Sequence, residues 1–417
     1  MAPLARIRLA GTIAATALCA AAATEAAAQT PPDDSVVLNQ QLQLGDVFSH
    51  QTLNVVDPQE QVTVSTSAQG NAASGAVENG SITVRSEQDM RGDAVASTDM
   101  TLGGDAWGVV NATTQAQGNY LAVSAYDADL TVDATQANTG GLVSATSQLG
   151  EDDARLLGGA YLNASAISNT TALYGEGSFV EGSIDQSSAA TVRAYNRIET
   201  QYIPAEAVVD AQAIVNAVQA TSGQTSGQDL AIVQTSTGDF VEAESSANSG
   251  NAWDLAGRAR ASANQAVLYN QGGSVVASAR QDNTAYVRAA ATTTAYDYGR
   301  AEAHARGAAN ELSVGNNDIY VEIDNSQFNS GGVDVTATFS GTNGYDVYVG
   351  ADAVGNRVTG YSCSDCGGYL EARNTQSNGG DVSATANTSV AGSTRSVITG
   401  ANAVGNSASF YVSRPSH

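Results

Sequence analysis

The stretch ADAVGN (351–356) returns fifty residues later as ANAVGN (401–406). Its closing Asn can be followed back through Asn356, Asn310 in ARGAAN, Asn264 in ARASAN, Asn216 in AQAIVN, Asn169 in ASAISN, Asn119 in TQAQGN and Asn71 in TSAQGN. From Asn71 to Asn406 the intervals are 48, 50, 47, 48, 46, 46 and 50 residues. A second marker keeps step: Gln88, Gln136, Gln186, Gln234, Gln281, Gln327 and Gln376, at intervals of 48, 50, 48, 47, 46 and 49. Each Asn precedes its Gln by 17 or 18 residues, except Asn356, whose 20-residue interval to Gln376 contains Cys363 and Cys366. Two markers in phase over most of the chain define an internal repeat, not a coincidence of Ala, Gly and Asn usage.

Local pattern says what each unit is made of. Ahead of the Gln, SITVRSEQ (81–88), DIYVEIDNSQ (318–327) and GYLEARNTQ (368–376) alternate with period two, the pattern of a half-buried strand. A turn rich in Asn and Gly follows, as in NTGG (138–141) and NSGG (329–332), and then a second alternating run, LVSATS (142–147) or VDVTATF (333–339). A third run, with Ala at alternate positions, leads into the Asn, which requires a tight interior. Short strands, Gly/Asn corners and a fixed period predict an all-β chain, a β-solenoid (β-helix) of about seven 48-residue repeats. Equivalent residues then stack, and the Asn and Gln columns form amide ladders that satisfy polar groups too costly to bury alone. One coil per repeat, or two of about half that length, both fit the spacing. The Ala-rich segment 205–220 could instead form a helix after Pro204, but its Asn216 is in phase and reads as strand.

The expected organisation is a signal peptide over 1–28, a flexible start and cap over 29–60, and the repeat domain over 61–413. Arg6 and Arg8 precede an apolar run, and Ala26-Ala27-Ala28 supplies the small residues of a cleavage site. The run is too short and Ala-rich for a good membrane span. Export places Cys363 and Cys366 in an oxidising compartment, where a small disulfide loop is the expected pairing. Net charge is −25, from 42 acidic residues against 17 basic ones, all Arg. That excludes nucleic acid as a partner. It suits cationic groups such as amino sugars. Only 6% of residues are aromatic, too few for a thick core.

Catalytic chemistry is hard to assemble from this chain. Asp127 with Asp129, Asp152 with Asp153, Asp318 with Glu322 and Asp324, and Asp365 are the carboxylate candidates for a polysaccharide-cleaving site. None comes with a nearby Arg or His in an arrangement that makes a site. His50, His304 and His417 are scattered, and no calcium-repeat, phosphate-loop or dinucleotide motif occurs. No catalytic, cofactor or metal residue is expected. Tyrosines, Tyr345 and Tyr369 among them, are spread through the units; exposed ones could stack on sugar rings, and others fill the ends of a narrow core.

With its A-x-A-x-G-N and V-x-x-x-Q units, absence of Lys and closing ANAVGNSASFYVS (401–413), the chain resembles the holdfast anchor protein D family of stalked bacteria. The resemblance implies a non-enzymatic structural protein or adhesin on the outer membrane or cell surface, fastening an adhesive polysaccharide. It also implies export through a curli-type secretion pore, other holdfast anchor proteins as partners, and no cofactor. The units are also similar to those of curli-type amyloid subunits, but longer and without their strict Ser/Gln/Asn pattern. A secreted β-helix polysaccharide lyase or hydrolase, or a fibre-forming, self-associating curli-like adhesin, are the alternatives. A recessed acidic cluster with an Arg would favour the enzyme, and unpaired end strands the fibre.

Overall fold

A computed structural model describes residues 34–150, 153–223, 225–363 and 367–413. The expected signal peptide over 1–28 lies outside the described residues. Every regular element described is a β-strand, and all pair in parallel within one sheet. The fold is therefore all-β, with strands stacked in a solenoid-like arrangement. The 205–220 segment is strand, inside Thr191–Ser222.

Each strand pairs with the equivalent strand of the next unit. Asn119 lies beside Asn169, Asn264 beside Asn310, and Gln234 beside Gln281. Marker residues that are consecutive in the repeat are thus neighbours across one strand spacing of about 4.8 Å. A unit makes a single coil, and the alternative of two coils is excluded. A ten-residue strand such as Ser274–Asn283 carries the Gln. A 31-residue strand such as Tyr286–Asn316 carries the Asn. The second and third alternating runs of the sequence are one continuous strand that bends around the interior. It bends where residues drop out of the register, as at Ala309 between the paired Ala308 and Asn310.

That dropout has a packing consequence. Before it, Ala301, Ala303, Ala305 and Gly307 face inward; after it, Asn310, Leu312 and Val314 do. Inward phase shifts by one residue, and the strand turns its side chains into a second interior. Two separate cores result. The larger sets Ala columns such as Ala164, Ala211, Ala259 and Ala305 in the same interior as Val143, Val192, Val241 and Val287. The walls approach so closely that a Cβ on Gly307 would lie 2.7 Å from Val335 Cγ2. The smaller is built of Leu130, Leu173, Ile184, Leu230, Leu312 and their neighbours. Few large side chains are needed because each interior is thin, which is how a chain this poor in aromatics fills its core.

Residues 34–55 form two strands, Asp34–Gln43 and Val47–Val55, paired on the coil that follows. At the other end Tyr369–Asn378, Val382–Val390 and Ser396–Ser413 close the stack.

Candidate functional site

The marker amides sit at the waist between the two cores. Asn Nδ2 donates to the Asn Oδ1 of the next coil at 2.7–2.9 Å, from Asn71 through Asn119, Asn169, Asn216, Asn264, Asn310 and Asn356 to Asn406. Gln Nε2 donates the other way, to the preceding coil, at 2.7–2.9 Å, from Gln376 back through Gln327, Gln281, Gln234, Gln186, Gln136 and Gln88. The two columns are also tied across the waist. Asn264 Nδ2 donates to the carbonyl of Asp282, the residue after Gln281, and Gln281 Nε2 donates to that of Glu311, the residue after Asn310. The two columns run with opposite polarity, so their amide dipoles oppose. Gln41 extends the Gln column by one coil, accepting from Gln88; the sequence offers it 47 residues ahead of Gln88. A third column, Asn283, Asn329 and Asn378, is joined by bonds of 2.9 and 2.7 Å. Its signal is an Asn two residues after the Gln. These columns hold the coils in register and are buried through the middle of the stack, where solution cannot reach them.

The other sequence candidates lie apart. Cys363 is exposed at the end of Val333–Cys363; Cys366, Asp365 and Asp152 lie outside the described residues. Asp318 accepts from the backbone N–H of Gly273 at 2.9 Å, and Glu322 accepts from the Tyr320 hydroxyl at 2.8 Å. Among the described residues no group of three or more His, Cys, Asp and Glu is placed to hold a metal ion.

One corner of the coil does gather chemistry. There the register drops single residues on either side of a paired doublet, at Gly250 and Trp253, and again at Tyr296 and Gly299. The bend throws large side chains outward. Trp253 is 62% exposed, Tyr345 51% and Tyr202 39%. They line an open cleft of about 550 Å³ with Asn251, Asp297, Asn343 and the buried Tyr298. Trp253 and Tyr345 stand two coils apart, with Gly299 between them, and their rings meet edge to face at 6.1 Å between centroids. A Cβ on Gly299 would come 2.9 Å from the Trp253 ring, so only glycine leaves the rings in contact. Asn251, Asp297 and Asn343 stack in one column: Asn251 Oδ1 accepts from Asp297 N, and Asn343 Nδ2 donates to Asp297 Oδ1, each at 3.3 Å. Tyr298 packs edge to face on Phe339 in the core, and its hydroxyl is buried with no hydrogen-bond partner.

Beside the cleft runs a face of alternating charge. Arg258 grips Glu302 with two hydrogen bonds of 2.8 and 3.2 Å. Burial alone would raise the Glu302 carboxyl, but Arg258 and Arg300 outweigh it and hold it below the ordinary Glu value. Asp210, next to Arg258 in the register, is raised by burial against the pull of Arg260 and Arg258. Arg395 pairs with Asp346 and lies 5.6 Å over the Tyr345 ring, while Arg300 lies 5.3 Å over Tyr348. Every carboxylate named here except Asp210 has an Arg ion partner, and no two stand as an unpaired acid and base. The corner aromatics were legible only in part: Trp253, Gly299 and Tyr345 recur at 46-residue steps, but that column carries no constant residue to mark it.

This is a stacked parallel-sheet protein with an outer corner of rings, amides and paired charges. The family model for holdfast attachment protein D matches residues 56–332, and the chain belongs to that family, which is structural rather than catalytic by name. No curated protein and no solved structure matches the chain.

Proposed function

We propose that this protein is a non-enzymatic surface anchor: a β-solenoid of about seven 48-residue units, exported by a signal peptide over 1–28, that holds an adhesive holdfast polysaccharide at the outer cell surface. Family membership carries this reading. The single-coil stack supports it, because each unit repeats an outward face at one strand spacing, and many weak contacts along it combine into avidity. Other holdfast anchor proteins and a curli-type pore are the partners that fit it. The amide columns keep the scaffold rigid enough to bear load. The deciding experiment is a strain lacking the protein, with adhesive in the medium measured separately from cell attachment. The anchor reading expects adhesive to be made and shed; unchanged retention would sink it.

A second reading, head-to-tail self-association, is favoured by the polarity of the end columns. Inward positions of Asp34–Gln43 and of Tyr369–Asn378 are half buried or exposed. Gln88 donates to Gln41 and Gln376 to Gln327, while Asn39 donates to Ser86 and Asn325 to Asn374. Stacked copies would therefore continue the Gln column with matching sign, Gln41 donating to Gln376, and would pair Asn374 with Asn39 in the sense in which Asn325 and Asn39 already donate. Sedimentation should show concentration-dependent assemblies that Ala384→Arg, a charge at a half-buried inward position of the end coil, reduces to monomer. A concentration-independent monomer would exclude stacking.

A further inference from the structure

We propose that the corner cleft is a binding subsite for a pyranose segment of a polysaccharide that carries no carboxylate. The inference rests on the anchor reading for its polymer and goes further, naming the place and the chemistry of contact.

Three observations carry it. First, Trp253, Tyr345 and Tyr202 keep large rings in water at one corner of a chain that is poor in aromatics. Clustered exposed rings of this kind mark interaction sites. The apolar C–H face of a pyranose ring fits such a surface, and the Trp253–Tyr345 contact permitted by Gly299 makes it continuous across coils. Second, the polar groups are the right ones for sugar hydroxyls. The Asn251, Asp297 and Asn343 column presents amide donors and carboxylate and amide acceptors, one coil after another, beside the rings. A chain laid along the stack axis meets the same type of group at each strand spacing. Third, Tyr298 lines the cleft as a residue only 4% exposed, and its hydroxyl, shielded from solvent, has no hydrogen-bond partner. A buried unmatched hydroxyl is costly, so a local shift on binding that brings a ligand hydroxyl to it is favoured. A concave site with an apolar floor and a few placed polar groups is the general form of a ligand site.

Charge selects among polysaccharides. Asp297 is the carboxylate that lines the cleft, on a chain of net charge −25. A polyuronate would be repelled at the site and by the molecule. Neutral and amino sugars are admitted.

The experiment uses the purified secreted protein in a Trp107→Phe background, so that Trp253 is the sole fluorophore among the two tryptophans. Its emission is titrated with cellohexaose, mannohexaose, chitohexaose, a glucosamine hexamer and hexagalacturonate. Binding to the same panel is measured calorimetrically for Trp253→Ala and Tyr345→Ala. A non-acidic oligosaccharide should shift the Trp253 emission saturably. Each Ala variant should weaken that binding at least about tenfold with an unchanged melting temperature, since both rings are exposed. Trp253→Phe should recover much of it. The proposal is overturned if only hexagalacturonate binds, if nothing binds, or if the Ala variants bind like wild type. The anchor reading is judged separately, by adhesive shed from the deletion strain; shedding there with no oligosaccharide binding removes the cleft and leaves the anchor.

Discussion

At the scale of the residue, the decisive groups are buried amides. Asn264 accepts from Asn216 and donates to Asn310 and to the carbonyl of Asp282. Asn264→Ala would strand three polar partners inside the waist, and each unmatched buried group costs about 1–3 kcal/mol. The expected loss, read by denaturant unfolding, is about 3 kcal/mol or more. A loss under about 0.5 kcal/mol, the range of surface changes, would mean that the column is only ornament to the packing. A second residue-scale effect concerns alkali. The Tyr361 phenol is pushed up to about 12 by burial and by its hydrogen bond with Tyr269. The protonated form is thus favoured in the folded state. Its stabilising contribution is complete below the ordinary phenol range near 10 and is lost as pH rises from there through about 12. Phenolate absorbance should show a late-titrating component near the end of the tyrosine titration that Tyr361→Phe reduces by one group.

At the scale of the element, the long strands bend where a residue leaves the register, and certain glycines make the approach possible. Gly182, in Phe179–Ser188, has φ +135°, and a Cβ there would lie 1.9 Å from the carbonyl oxygen of Val132 in the preceding coil. Gly400, in the last strand, has nothing within 4 Å of an added Cβ. Gly182→Ala should therefore cost at least the 1–3 kcal/mol typical of backbone strain, about 2 kcal/mol or more. Gly400→Ala should be neutral or slightly stabilising, by about 0.5 kcal/mol. Paired thermal melts check both, and equal effects would contradict the packing. Much at this scale was legible beforehand. Period-two alternation placed the strands, and in-phase Asn216 outweighed the helix propensity of 205–220. The dropout at Ala309 was not, because a one-residue change of phase in an Ala-rich run leaves no contrast between inward and outward side chains.

At the scale of the molecule, each coil contacts chiefly its two neighbours, so stability is a sum of unit and interface terms. The end coils have one neighbour each, and their inward positions are half exposed where those of mid-stack strands are buried. Hydrogen exchange should be slowest in Phe240–Asn270 and Tyr286–Asn316 and fastest in Asp34–Gln43 and Val382–Val390. Uniform protection would instead mean a single all-or-none unit. The net charge of −25 adds self-repulsion that salt screens, so the melting temperature should rise with added sodium chloride. A fall would place the net electrostatics in the Arg–carboxylate pairs of the charged face.

The sequence by itself determined the repeat, the alternation of its strands, and the need for Asn and Gln to stack. Those follow from local alternation and from a period that any reader of the chain can count. The family, too, was carried by the style of the repeats. Tertiary structure decided what depends on which coil lies next and where the chain bends: one coil per unit, two cores in place of one, and amide columns of opposite polarity tied across the waist. It also decided the cleft, because Trp253 and Tyr345 are 92 residues apart in the chain and touch only after two full coils, over a glycine whose missing side chain makes the contact.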